Sequence, residues 1–261
     1  MPHMSMNEST TFHKKETAVI LDIPVYPYTM DEAVQHLAAS AEKGERCFVV
    51  TANAEIIMLA QGDAAYKKLL LEEADLILPD GAGTVWAGNY LGYHIPERVA
   101  GYDLYIGLLK EAADKRLPVY FLGGSPSVAE AAAQEGKRRW PKLQVAGCHD
   151  GYFKPEEEAA IVETINKSGA RMLFAALGAP KQEKWLSKYA RMLQPPLLMG
   201  IGGSFDVLAG RVQRAPKWMQ EARLEWFYRL IKQPSRLGRM LALPKFVLAV
   251  RAEKKKKRPM P

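Results

Sequence analysis

The feature that most constrains this 261-residue chain is an alternation running from Ala18 to about Gly210. Short β-rich apolar runs end in Gly, Asn or Asp, and each is followed by a longer stretch of helical period. The runs are 47–50 (CFVV), 76–78 (LIL), 119–122 (VYFL), 143–147 (LQVAG), 172–177 (MLFAAL) and 197–201 (LLMGI). Six apolar strands alternating with helices predict a mostly parallel sheet with helices on both faces, an α/β fold of Rossmann-like type. In such a sheet, ligands bind outside the carboxyl ends of the strands, where loops and helix N-termini converge. The search for chemistry therefore narrows to about six loops.

Charge divides the chain unevenly. From Arg211 onward there are 15 Lys and Arg against three acids, whereas the first 210 residues hold 21 bases and 26 acids. A mildly acidic body followed by a strongly basic segment points to a polyanionic partner: nucleic acid, anionic lipid or a phosphorylated substrate. Residues 1–17 are polar and aperiodic and read as a loose tail without the apolar core of a signal peptide. No run of about 18 uncharged apolar residues occurs, so no membrane span is expected. Cys47 and Cys148 are too few for a disulfide framework and read as small apolar residues in a reducing cytosol.

The segment 211–261 reads as a basic helical C-terminal appendage to a catalytic domain over 18–210. Pro216 opens a helix, and Pro234 and Pro244 divide the remainder of the segment into shorter ones. Arg229, Lys232, Arg236 and Arg239 recur at helical spacing opposite a row with Ile231, Met240 and Leu241, and the chain nears its end in Lys254–Arg258. A basic amphipathic segment with a polybasic end suits an anionic membrane surface. The other reading is a capping helix pair with a solvated charged face.

At the strand ends, Asp80 follows an apolar strand within Pro-Asp-Gly. Its carboxylate is placed either as a general base toward a hydroxyl or as an ordinary turn or cap. Thr51 and Asn53 stand at another strand end, where Asn either meets a ligand or closes a local Asx bond. Gln182 opens a helix after Gly178-Ala179-Pro180 and is a candidate sugar or phosphate contact. Gly203, Ser204 and Asp206 belong to a Gly-Gly-Ser-Phe-Asp run that offers backbone N–H groups to a phosphate or uracil. Dinucleotide, P-loop and nucleophile-elbow signatures are absent. There is no Asp-x-Asp and no tight His cluster, so no dedicated metal site and no cofactor is expected, and a leaving diphosphate would be met by arginine and helix N-termini.

Taken together in colinear order, several runs resemble the WecG/TagA/CpsF glycosyltransferase family: 51–56 (TANAEI), 79–83 (PDGAG), 96–101 (PERVAG), 178–185 (GAPKQEKW), 202–207 (GGSFDV), 214–216 (RAP) and 224–230 (LEWFYRL). The resemblance spans about Ala18 to Val250. It implies an inverting, metal-independent transfer of N-acetylmannosamine from its UDP donor to the 4-hydroxyl of N-acetylglucosamine on undecaprenyl diphosphate, in wall teichoic acid linkage-unit synthesis. It also implies Asp80 as catalytic base, Thr51, Asn53, Arg98 and Gln182 in the substrate pocket, and Arg229, Arg236 and Arg239 closing over the diphosphate and meeting the membrane. The protein is then expected on the cytoplasmic face of the plasma membrane, as a monomer or homo-oligomer, with no nucleic-acid partner. Relatives using mannosaminuronic acid or glucose leave the donor sugar open. A nucleic-acid-binding α/β protein is the reading of a different class.

Overall fold

The computed structural model describes residues 17–221, 225–232 and 242–257. The chain opens with a hairpin of β1 (Ala18–Ile20) and β2 (Ile23–Val25), whose two turn residues Leu21 and Asp22 both have positive φ, 50° and 65°. A two-residue turn of this kind matches the twist of the strands it joins. α1 (Met30–Lys43) comes next, with a Thr29–Glu32 capping box at its start and Gly44 in the left-handed region at its end. Then come β3 (Cys47–Ala52), α2 (Ala54–Gly62), α3 (Ala64–Glu72), β4 (Leu76–Pro79), α4 (Gly81–Leu91), α5 (Gly101–Asp114), β5 (Val119–Gly123) and α6 (Val128–Arg139). The body is completed by β6 (Val145–His149), α7 (Glu158–Lys167), β7 (Met172–Ala176), α8 (Lys181–Tyr189), β8 (Leu197–Gly200) and α9 (Ser204–Leu208).

The six strands from β3 to β8 form one sheet in the order β4-β3-β8-β7-β5-β6, with every neighbouring pair parallel. All six expected strands are present and the α/β class is as the sequence implies. The expected run 143–147 shifts to 145–149 in β6, because Leu143 is buried in the core against the sheet face that α6 covers, and β6 is a partly exposed edge strand. Alternate side chains fill two cores. Phe48, Val50, Tyr120, Leu122 and Leu173 face one layer, while Val49, Val119, Phe121, Phe174 and Met199 face the other. Burial pushes the Cys47 thiol up to about 12 and the Cys148 thiol up to about 11, which suits residues that pack rather than react.

Beyond the body, the chain forms α10 (Lys217–Glu221), α11 (Glu225–Lys232) and α12 (Ala242–Lys257). Pro244 does not divide α12 but sits in its first turn, where a missing N–H costs nothing. α12 packs against α2 and α4, with Phe246 and Val250 fully buried in the first core. Its Glu253 accepts from the Leu21 N–H at 3.0 Å and so braces the tight hairpin turn. Lys254 lies over the Tyr90 ring, 4.1 Å from its centroid. Among the described residues no helix is long and apolar enough to cross a membrane.

Candidate active site

The sheet order breaks between β3 and β8, its first and last strands in the chain, and breaks of this kind open a crevice at the carboxyl ends. A cleft with about 350 Å³ of free space lies there, lined from the ends of β3, β4, β7 and β8 and from the segment after α9. It gathers Thr51, Asn53, Asp80, Gln182, Gly203, Ser204 and Asp206, seven positions singled out in the sequence.

Asp80 occupies the N-cap position of α4, yet its carboxylate makes no cap hydrogen bond with that helix. Its backbone N–H is spent on Ala52 O at 3.0 Å, which fixes the strand end beside β3. Thr84, fully buried in α4, donates to the same carbonyl at 3.0 Å and locks the helix start in place. The next residue, Gly81, has φ +82°, a turn that only glycine makes without strain. Opposite, α5 begins at Gly101, whose backbone comes so close that a Cβ there would stand 2.8 Å from Thr51 Oγ1 and 3.7 Å from Asp80 Oδ2. A hydroxyl and a carboxylate thus converge on one bare backbone position at the cleft.

Asn53 closes the local bond that the sequence left open. Its Oδ1 accepts from Ile56 N at 3.0 Å and caps α2, while the residue also lines the cleft. Gln182 is nearly buried and its amide is engaged within the protein. The Oε1 accepts from Gly178 N at 3.2 Å and Gly202 N at 2.9 Å, tying the β7–α8 and β8–α9 loops together. The Nε2 donates to Glu183 Oε1 at 2.7 Å. Glu183 is 1% exposed, and burial pushes its carboxyl above the ordinary range. The Ser204 hydroxyl donates back to Ile201 O at 2.6 Å, and its N–H bonds the same carbonyl at 3.2 Å, so this loop is self-closed. Asp206 Oδ2 stands 3.9 Å from where a Gly203 Cβ would be.

Arg98 is not among the lining residues but reaches the cleft wall through Glu225, an ion pair of 2.7 Å. Glu225 also receives Arg214 Nε at 3.0 Å, and Arg214 grips Asp103 with two further bonds of 2.5 and 2.7 Å. Burial opposes the charge of both Arg214 and Glu225. The hydrogen bonds between them, with Asp103 and Arg98, nevertheless hold Arg214 above and Glu225 below their ordinary values. Arg236 and Arg239 lie outside the described residues, as does the side chain of Arg229, which belongs to α11.

Sequence reasoning does not single out Gly101, Glu183, Arg214 or Glu225. Gly101 carries a readable signal, a glycine opening a helix just after the Asp80 region. Arg214 and Glu225 sit inside recognisable runs, but nothing local marks either as facing a partner more than ten residues or a hundred residues away. Among the described residues no group of three His, Cys, Asp or Glu is placed to hold a metal.

A model of the glycosyl transferase WecG/TagA/CpsF family matches residues 18–259. The chain is 40% identical over 218 residues to the N-acetylglucosaminyldiphosphoundecaprenol N-acetyl-beta-D-mannosaminyltransferase of Bacillus spizizenii strain W23, covering 83% of this chain and 84% of that protein. A protein of the same name from Bacillus subtilis strain 168 is 37% identical over 210 residues, 80% of this chain and 81% of its own. The chain belongs to the WecG/TagA/CpsF family and is a glycosyltransferase.

Proposed function

From that membership, we propose that the chain moves N-acetylmannosamine from UDP-N-acetylmannosamine to the 4-hydroxyl of N-acetylglucosamine on undecaprenyl diphosphate. The step would belong to the linkage unit of wall teichoic acid, with inversion at the anomeric carbon and no metal ion. The names of the two relatives support the transferred sugar and the lipid-linked acceptor. The observation that carries the mechanism is the Asp80 carboxylate, which lines the cleft at the end of β4 instead of capping α4.

In this reading Asp80 accepts the proton of the acceptor hydroxyl as that oxygen attacks the anomeric carbon from the face opposite UDP. The bond to the diphosphate breaks with its electron pair, and UDP leaves. Thr51 and Asn53 orient the sugars beside the base. Gln182 acts by holding the β7–α8 and β8–α9 loops at a fixed separation, since both ends of its amide are engaged. Gly203, Ser204 and Asp206 form the wall for the uridine end. Arg98, with Arg229, Arg236 and Arg239 of the appendage, meets the charge of the departing diphosphate. Phe227 and Ile231, one helical turn apart on α11, are exposed together with Trp218, and this apolar face within a basic segment supports seating on the inner leaflet.

The test is UDP release by purified protein in EDTA, with UDP-N-acetylmannosamine and a lipid-linked N-acetylglucosamine diphosphate. Acceptor-dependent release is the expected result. Release with another UDP-sugar alone would replace the donor, and silence with every donor, alongside salt-sensitive nucleic-acid binding, would overturn the reading.

A further inference from the structure

Four charges join the body to the appendage at the mouth of the cleft. Arg98 stands in the loop between α4 and α5, Asp103 in the first turn of α5, Arg214 between α9 and α10, and Glu225 at the head of α11. Glu225 presents one oxygen to each arginine: Oε2 to Arg98 Nη2 at 2.7 Å and Oε1 to Arg214 Nε at 3.0 Å. The two arginines are not held alike. Asp103 grips the two terminal nitrogens of Arg214, so that guanidinium stays oriented whether or not Glu225 is there. Arg98 has Glu225 as its carboxylate partner. With Glu225 in place the four charges cancel, and without it one positive charge is left over beside Arg214, which lines the same cleft as Asp80 and Thr51.

Two guanidinium groups from separate elements, converging on the two oxygens of one anion, have the geometry that recognises phosphate as readily as carboxylate. We infer that Arg98 and Arg214 form a two-arginine seat for the donor's diphosphate, held in the free protein by the Glu225 carboxylate, so that donor binding exchanges one anion for the other. The inference rests on the proposed use of a UDP-sugar and adds to it a residue, Arg214, and an exchange of anions. A diphosphate carries more charge and more acceptor oxygens than a carboxylate, so it can displace Glu225 where an unphosphorylated nucleoside cannot.

Binding of UDP, uridine and inorganic pyrophosphate to the full chain, measured by calorimetry, tests this. Glu225→Gln keeps the shape of the side chain and removes the competing charge. It is expected to bind UDP and pyrophosphate roughly tenfold tighter, because the seat no longer has to be vacated. Uridine affinity should not move. Arg214→Gln should weaken UDP by roughly tenfold or more and again leave uridine unchanged, with Arg214→Lys as the second variant should the first fail to fold. Equal or weaker binding of UDP and pyrophosphate by Glu225→Gln would make Glu225 a structural strap and overturn the inference. Parallel loss of UDP and uridine in the Arg214 variants would do the same. Pyrophosphate separates the two proposals: tightening for pyrophosphate in a protein that binds no UDP keeps the seat and removes the uridine donor.

Discussion

In the body, apolar side chains alternate along six strands so that adjacent residues such as Phe48 and Val49 belong to different cores. Polar groups there are confined to strand ends, where backbone and neighbours fix them. The segment after Arg211 obeys another rule. Basic and aromatic residues are interleaved, Trp218, Phe227 and Ile231 stay exposed, yet Phe246 and Val250 of α12 are sealed into the first core. In the proposed reading the body supplies position and the appendage supplies charge, and α12 is the part of the appendage built into the body's core. What looks in sequence like one basic tail is an exposed apolar and aromatic unit, α10 and α11, followed by a helix, α12, that carries six Lys and Arg against one Glu and also anchors the segment in the first core.

Removing 211–261 is the harshest way to break this comparison. Transfer and liposome binding are both expected to vanish, and because Phe246 leaves the core the body should also melt at lower temperature. Replacing Trp218 and Ile231 with Ser is the sharper version, expected to lose liposome binding while the melting temperature stays put. A truncated chain still active on the lipid acceptor would end the division of labour. Next, Phe246→Ala should cost about 3–5 kcal/mol by chemical denaturation, the range for emptying a buried aromatic site, whereas Phe227→Ala on exposed α11 should cost little. Gly101→Ala places a methyl within 2.8 Å of Thr51 Oγ1, so one of them must move. We expect transfer to fall about tenfold, near 1.4 kcal/mol of barrier, with little change in stability. The smallest effect concerns pH. The Glu225 carboxyl is held below its ordinary value, so its pairing contributes fully above the unfolded Glu value of about 4.3 and is lost as pH falls through the depressed folded value. Hydrogen exchange of α11 should therefore quicken as pH falls below about 4.3, in excess of the intrinsic pH effect, a step that Glu225→Gln lacks.

How much of this is legible in the residues tracks the same divide. Five of the six sheet strands announce themselves as apolar runs closed by Gly, Asn or Asp, because burial on both faces leaves no polar position within those runs, whereas β6, a partly exposed edge strand, is read two residues early. The β1–β2 hairpin is not legible, since three-residue strands carry too little periodicity and its turn uses Leu21 and Asp22 where glycine or asparagine is the usual signal. Asp80, Thr51 and Asn53 are legible because strand ends are where ligands meet this architecture. The Arg98–Glu225–Arg214–Asp103 cluster is not, as ion pairs between distant segments leave no mark on local pattern. Gln182 reads as a contact by its place at a helix start, and only the fold shows its amide bridging two loops.

The central claim is that position and charge are separable in this site, with Asp80 providing the proton acceptor at the end of β4. Donor affinity and single-turnover transfer, measured side by side for Asp80→Asn, test it most directly. The account predicts unchanged binding of UDP-N-acetylmannosamine, an unchanged melting temperature and a transfer rate lower by roughly two or more orders of magnitude. Near-normal transfer, or a loss of donor affinity that accounts for the whole defect, would contradict it.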